Sequence, residues 1–214
     1  MSPTRREVTA AQTRDSLVQS ATECICTDGF ESVSLADLTD RAGVSKGAFY
    51  KHFPDKTAVF TEVFVGRLEV AEALITGACE ELEGRPRGAG VHVASMAAAK
   101  FAMLSLSDPV HREVMRQAPE VLGSDQVAAI DDQYLLDPLL TLLMIMEQRD
   151  ELVSGLPLST AAALLIRVLC AGNTMVSAAE DMNSALVDEI AAVGAMFQGL
   201  VAVDLRSSVP EITT

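Results

Sequence analysis

Tryptophan is missing from this chain and aromatic residues make up only 4% of its 214 positions, although 49% are hydrophobic. The interior must therefore be built from Leu, Val, Ala, Ile and Met, side chains that suit helix-on-helix packing. No uncharged apolar run reaches the ~20 residues that a membrane helix needs. The longest, Leu139 to Met146, is interrupted by Thr141. The polar start MSPTRREVTAAQTR lacks the apolar core of a signal peptide. A cytoplasmic protein without a membrane partner is expected. Histidine is scarce: His52, His92 and His111. His92 and His111 have no nucleophile motif, HExxH pair or Gly-rich phosphate loop nearby, and His111-Arg112-Glu113 reads as a solvated helix face. No catalytic residue, cofactor or metal is expected. Of the four cysteines, Cys24 and Cys26 stand two apart on a helix and point to opposite sides, while Cys79 and Cys170 stand alone. They read as small buried hydrophobes in a reducing compartment.

What is present is concentrated in Val33 to Lys56, VSLADLTDRAGVSKGAFYKHFPDK. Ser34 and Asp37 form a capping-box start. Leu35, Leu38 and Ala42 give the first helix one apolar face, and Gly43 stops it. Val44 plugs the turn, and Ser45 caps a second helix expected over Lys46 to Phe53. Phe49 and Phe53 point inward, which leaves Lys46, Gly47, Ala48, Tyr50, Lys51 and His52 outward. Small residues permit close approach and cations attract phosphate. Ser34, Ser45, Tyr50, His52 and Lys56 add donors, as do the backbone N–H groups at the helix starts. The pattern is a helix-turn-helix over residues 34–53 with a DNA-facing second helix.

The run Ala42-Gly43-Val44-Ser45-Lys46-Gly47-Ala48-Phe49-Tyr50-Lys51-His52-Phe53-Pro54-Asp55-Lys56 resembles the signature of the tetracycline-repressor (TetR) family of one-component transcription regulators. Arg14, Leu17, Val18, Ala21 and Gly29-Phe30 resemble the helix that precedes it, with Cys24-Ile25 where the family has Leu-Phe. More loosely, Gln117-Ala118-Pro119-Glu120-Val121-Leu122-Gly123 resembles a segment of one subgroup, with Ser124 and Val127 in place of its two Trp. The resemblance implies an all-α fold and a homodimer. It also implies repression, at an operator in double-stranded DNA, that is released by a small molecule.

The net charge of −14 looks unsuited to a polyanion, but it is unevenly spread. Residues 1–56 hold seven Lys/Arg against eight Asp/Glu, and residues 57–214 hold nine against twenty-two. Arg5, Arg6 and Arg14 add cations near the reading helix, the first two as an arm into the minor groove. This places a three-helix DNA-binding domain at 11–58, a helical ligand-binding and dimerisation domain at 59–203 and a frayed tail at 204–214. Helices are expected over Asp55–Glu83, Val91–Leu106, Asp108–Gln117 (ended by Pro119), Ser124–Arg149, Ser159–Ala179 and Ser184–Val203, with no strand.

Two Ala-rich stripes on the last helices predict a four-helix dimer interface: Leu164, Val168, Ala171, Met175 and Ala178, with Ala192, Ala195, Met196, Gly199 and Val203. For an apolar ligand, Phe101, Met103, Met115, Tyr134, Met144 and Met175 are expected to line a cavity, with Gln133, Arg167 or Asn173 as polar anchors. The helix from Asp55 is expected to be the sole covalent strut between cavity and reader. The rival reading is a dimeric ligand-binding or scaffold protein whose DNA reader is silent.

Overall fold

The computed structural model describes residues 5–208, with side chains from Glu7 to Leu205. Nine helices run through them: α1 Arg5–Thr27, α2 Leu35–Arg41, α3 Lys46–Phe49, α4 Lys56–Glu83, α5 Gly90–Ser107, α6 Pro109–Leu122, α7 Ser124–Gln148, α8 Leu158–Ala178 and α9 Met182–Gly199. Phe30–Ser32 and Val203–Ser208 are 3-10 turns. The described residues contain no strand, only one antiparallel bridge between Leu152 and Val201.

The chain divides into two compact units. One comprises the chain up to Arg67 together with Pro109–Val127, and the other comprises Leu68–Asp108 with the chain from Ala128 onward. Helix α6 therefore belongs with α1–α3, and the chain crosses the division after Arg67, Asp108 and Val127. The expected single strut at α4 is one of three crossings.

In the first unit, α6 and α2 pack on α1. Leu17, Ala21, Ile25, Phe30, Leu38, Phe49, Phe53, Phe60 and Phe64 form its interior. Phe30 and Phe60 meet at 5.0 Å between ring centroids, Phe49 and Phe53 at 5.9 Å. Helix α6 runs through Pro119 to Leu122 rather than stopping near Gln117. Gly123, at φ 82°, is the actual stop. Proline removes only its own N–H from the ladder, and the Pro119 carbonyl still accepts from Gly123 N–H at 3.1 Å, so the last turn closes. His111 is 1% exposed, so the expected solvated face is instead turned inward there.

In the second unit α5 packs against α8 and α9, which also pack on each other. Asn173 Nδ2 donates to Phe101 O at 3.1 Å, and the Ser105 and Ser177 hydroxyls meet at 2.9 Å. By length and composition α5 and α8 could each cross a membrane; here they carry Lys100 and Arg167 and pack within this unit. The loop ends are gathered by Glu151, itself 1% exposed. Its carboxylate accepts from Gly88 N–H (2.9 Å), Gly90 N–H (2.6 Å) and Arg149 Nε (2.8 Å). A Cβ on Gly90 would collide with that carboxylate, so glycine is required there. Helix α9 ends at Gly199, short of the expected Val203, where the chain turns into the bridge with Leu152.

Candidate nucleic-acid interface

The helix-turn-helix is held by polar caps. Ser34 Oγ accepts from Asp37 N–H at 3.2 Å and Asp37 Oδ2 accepts from Ser34 N–H at 2.9 Å, completing the capping box of α2. The Ser34 hydroxyl also donates to Asp37 Oδ2 at 2.5 Å, and this bond, followed by that from Ser34 N–H, holds the Asp37 carboxyl below its ordinary value. Gly43 adopts φ 65°, the left-handed turn between the helices. Ser45 Oγ accepts from Ala48 N–H at 3.1 Å, and Asp55 Oδ1 from Ala58 N–H at 2.8 Å at the start of α4. Helix α3 is shorter than the expected Lys46–Phe53. After Phe49 the ladder tightens, with Lys51 N–H donating to Ala48 O and His52 N–H to Phe49 O, before Pro54 closes it.

Lys46, Gly47, Tyr50 and Lys51 are exposed on this element, Ala48 and His52 half-buried. Tyr50 is 59% exposed and braced edge-on against Phe49 at 5.4 Å. A Cβ on Gly47 would meet only Ser45 Oγ at 3.9 Å, an ordinary contact. Internal packing therefore does not require the glycine.

Two expected contacts are occupied within the protein. Lys56 Nζ donates to Phe30 O (2.7 Å), Val33 O (2.9 Å) and Glu31 O (3.3 Å) and lies 4.7 Å over the Phe30 ring. Its three donors hold the α1–α2 connection, which leaves none for a phosphate. Arg14 pairs with Glu62 at 2.7 Å, donates to His52 O at 3.1 Å and stacks 4.4 Å over Phe53. It is a clamp between α1 and α4. Arg5 and Arg6 begin α1, and their side chains, with any minor-groove arm, lie outside the described residues.

Elsewhere, the second unit holds an apolar cavity of about 30 Å³ lined by residues including Leu74, Ala98, Phe101, Leu139, Ile166 and Cys170. Of the expected ligand residues only Phe101 lines it. Met115 is buried in the other unit, and Met103, Met144 and Met175 are 51%, 45% and 72% exposed. Tyr134 and Gln133 do not line it either. Asn173 is committed to the helix contacts described above, and Arg167 to Asp132, Ala128 O and Asp131. Beside the cavity the Cys170 thiol bonds Asp131; burial raises the Asp131 carboxyl to about 6, and the thiol's own burial, followed by the Asp131 charge, drives the thiol well above its ordinary range. The expected interface residues are all uncovered to some degree. Leu164 (62%), Met175, Met196 and Val203 are exposed with Ala171, Ala178, Ala192, Ala195 and Gly199, and Val168 is half-buried.

Residues 17–63 match the family described as bacterial regulatory proteins, tetR family. The chain is 31% identical over 70 residues to the probable acrEF/envCD operon repressor of Escherichia coli, covering 33% of this chain and 32% of that protein. It is 26% identical over 175 residues to the HTH-type transcriptional repressor BepR of Brucella suis, covering 77% of this chain and 80% of that protein. The chain thus matches about a third of the length of the first of these relatives. In fold it resembles a TetR-family transcriptional regulator from Pectobacterium atrosepticum, with a TM-score of 0.71 at 20% identity over 94% of this chain and 98% of that one. It also resembles RolR in complex with resorcinol, with a TM-score of 0.64 at 21% identity over 96% and 98%. The helix-turn-helix segment, residues 17–63, thus matches the tetR family of bacterial regulatory proteins, and the all-helical architecture is the fold of these solved regulators.

Proposed function

We propose that this protein is a DNA-binding transcriptional regulator of the cytoplasm, acting as a homodimer that represses from a near-palindromic operator and is released by an apolar ligand. The observation that carries the reading is the outward surface of α3. Lys46, Gly47, Tyr50 and Lys51 stand uncovered on a firmly capped element, and nothing inside the protein calls for the glycine. A close-approaching, cationic helix start is what a major groove accepts. Lys46, Lys51 and Tyr50 are the phosphate and base-edge contacts, with Ser34, Ser45 and His52 at the rim. The exposed α8 and α9 stripes support a dimer, since uncovered Leu164, Met175 and Met196 are unfavourable in water. Two readers about 34–36 Å apart would engage successive major grooves.

The ligand seat is the apolar cavity beside Phe101 in the second unit. A cavity of roughly 150 Å³ accepts a benzene ring, so one of about 30 Å³ is closed to it. A ring-sized apolar ligand, of the scale of the resorcinol bound by RolR, must therefore select a conformer in which the lining has opened. Release of DNA follows if that conformer holds the readers wrongly.

The test is binding of the purified chain to DNA upstream of its own gene, and to duplexes selected from a random pool, across a salt series. Saturable binding by a dimer, weakened in Tyr50→Ala and Lys51→Ala, supports the reading. Failure to prefer any duplex would sink it and leave the scaffold alternative. A monomer in sedimentation at micromolar concentration would remove the dimer.

A further inference from the structure

We propose that Gln117 of α6 is a positioning residue for DNA reading, a cap supplied from 87 residues away to the junction between α1 and the reading helices. The proposal rests on the function proposed above. Within the junction Ser32 Oγ reaches Asp28 O at 2.7 Å and Gly29 O at 2.8 Å, but two other backbone groups have no local cap. Helix α1 ends at Thr27, so the carbonyl of Ile25 lacks a partner one turn further along the helix. The following 3-10 turn begins after Gly29, which has no side chain and makes no cap bond to Phe30.

Gln117 meets both needs with one side chain. Its Oε1 accepts from Phe30 N–H at 2.8 Å, and its Nε2 donates to Ile25 O at 3.0 Å. It is 5% exposed, so water does not substitute for either bond. The orientation of the amide follows from its neighbours. Nε2 also faces the Glu113 carboxylate at 3.3 Å, and Glu113 is itself paired with Arg116 at 2.7 Å. Reversing the amide would set its oxygen against the Glu113 carboxylate and Ile25 O, and its NH2 group against Phe30 N–H.

The same junction is held from its other side by Lys56, through Phe30 O and Val33 O. Ser34, the cap of α2, comes directly after Val33. The angle at which α2 and α3 leave α1 is thus fixed between an amide from α6 and an ammonium from α4. A second anchor ties α2 to α1, where Ser20 Oγ donates to Leu38 O at 2.8 Å. Without Gln117 the two buried backbone groups can be satisfied only by letting the junction move, which turns the reading surface.

The experiment compares the full-length wild type with Gln117→Met, which keeps length and apolar packing but removes both bonds, and with Gln117→Glu, which keeps the Phe30 arm alone. The wild type first selects duplexes from a random pool. Expected is a loss of about tenfold or more in affinity of Gln117→Met for a selected duplex, with a smaller loss on a scrambled one, so that discrimination falls. Exchange of the Phe30 amide hydrogen should accelerate by a similar factor while amides of α8 and α9 keep their rates. In Gln117→Glu the second carboxylate oxygen faces Ile25 O and the Glu113 carboxylate. Its affinity loss at neutral pH should therefore match that of Gln117→Met and shrink as falling pH lets the protonated acid donate to Ile25 O. This variant carries the test should Gln117→Met not fold. Unchanged discrimination, or an unchanged Phe30 amide, in a variant whose wild type selects DNA would overturn the proposal. A wild type that selects no duplex would overturn the DNA reading itself, and the positioning role with it.

Discussion

Five of the seven phenylalanines stand between Phe30 and Phe64, all in the unit that carries the helix-turn-helix, while the other unit has only Phe101 and Phe197. Rings reach many neighbours at the cost of ordering two torsions, so a small domain gains rigidity from few residues. The second unit fills its interior with Leu, Val, Ile, Ala and Met, whose longer members rearrange more readily. Polar groups divide in the same way. In the first unit Ser20, Gln117, Lys56 and Arg14 each close a named backbone group. The second unit keeps two acids against their ordinary ionisation. Burial raises Asp131 to about 6 and Glu189 to about 7, and Glu189 Oε2 has no hydrogen-bond partner. One unit is built to hold a shape and the other to be persuaded out of one.

The strongest way to break this comparison is to remove one ring from each unit. Phe60→Ala should cost about 3–5 kcal/mol and abolish DNA binding, because the rest of a rigid core cannot collapse onto the gap. Phe101→Ala should leave DNA binding in place and enlarge the existing cavity, seen as new thermal stabilisation by benzene-sized compounds. Equal loss of DNA binding in both would end the contrast.

Lys56→Met should cost about 2 kcal/mol in denaturant unfolding, since the partly buried carbonyls of Phe30 and Val33, with that of Glu31, lose a charged donor. Lys51→Met should stay within about 0.5 kcal/mol. The DNA salt dependence should reverse the order. Losing a phosphate contact at Lys51 lowers the slope of log K against log salt by about 0.9, whereas Lys56→Met leaves the slope alone.

The acids give a pH test of the second unit. A carboxyl whose folded value lies above its unfolded one favours folding while protonated. That contribution is complete below about pH 4 and is lost as pH rises through about 6 for Asp131 and about 7 for Glu189. Unfolding midpoints should fall from pH 5 to pH 8. The double variant Asp131→Asn, Glu189→Gln should flatten that fall by about 1–2 kcal/mol, allowing for the solvent that reaches Glu189.

The smallest change sharpens the view of the reading surface. Gly47→Ala should be neutral or stabilising by up to about 1 kcal/mol in the free protein, as helix propensity predicts. It should nonetheless weaken DNA binding, measured by titration with a selected duplex.

Local chemistry was legible in the sequence wherever the cause was local. The Ser34–Asp37 box, the Gly43 turn and the Ser45 and Asp55 caps all arise within three residues of their partners, and each is present. The uncovered stripes on α8 and α9 follow from helical spacing in the same way. What stayed hidden depended on distant partners. Lys56 reads as an exposed cation until Phe30 and Val33 are seen beside it. Gln117 carries no signal at all, because its partners Ile25 and Phe30 lie 92 and 87 positions earlier. The methionine pattern misled for a related reason. Met103 and Met175 sit at core-like spacing, yet their neighbours leave them exposed, and the cavity gathers around Phe101 instead.

Neither unit is continuous in the chain, since residues 68–108 of one interrupt the other. A growing polypeptide that has reached Arg67 already contains every residue of the helix-turn-helix but not the helix that caps its entry. The reader can be completed only after α6 has left the ribosome, and its partner unit only after the segment from Glu151 to Val201 has followed. A fragment cut at the end of the helix-turn-helix would thus inherit the DNA-facing residues without the means to aim them.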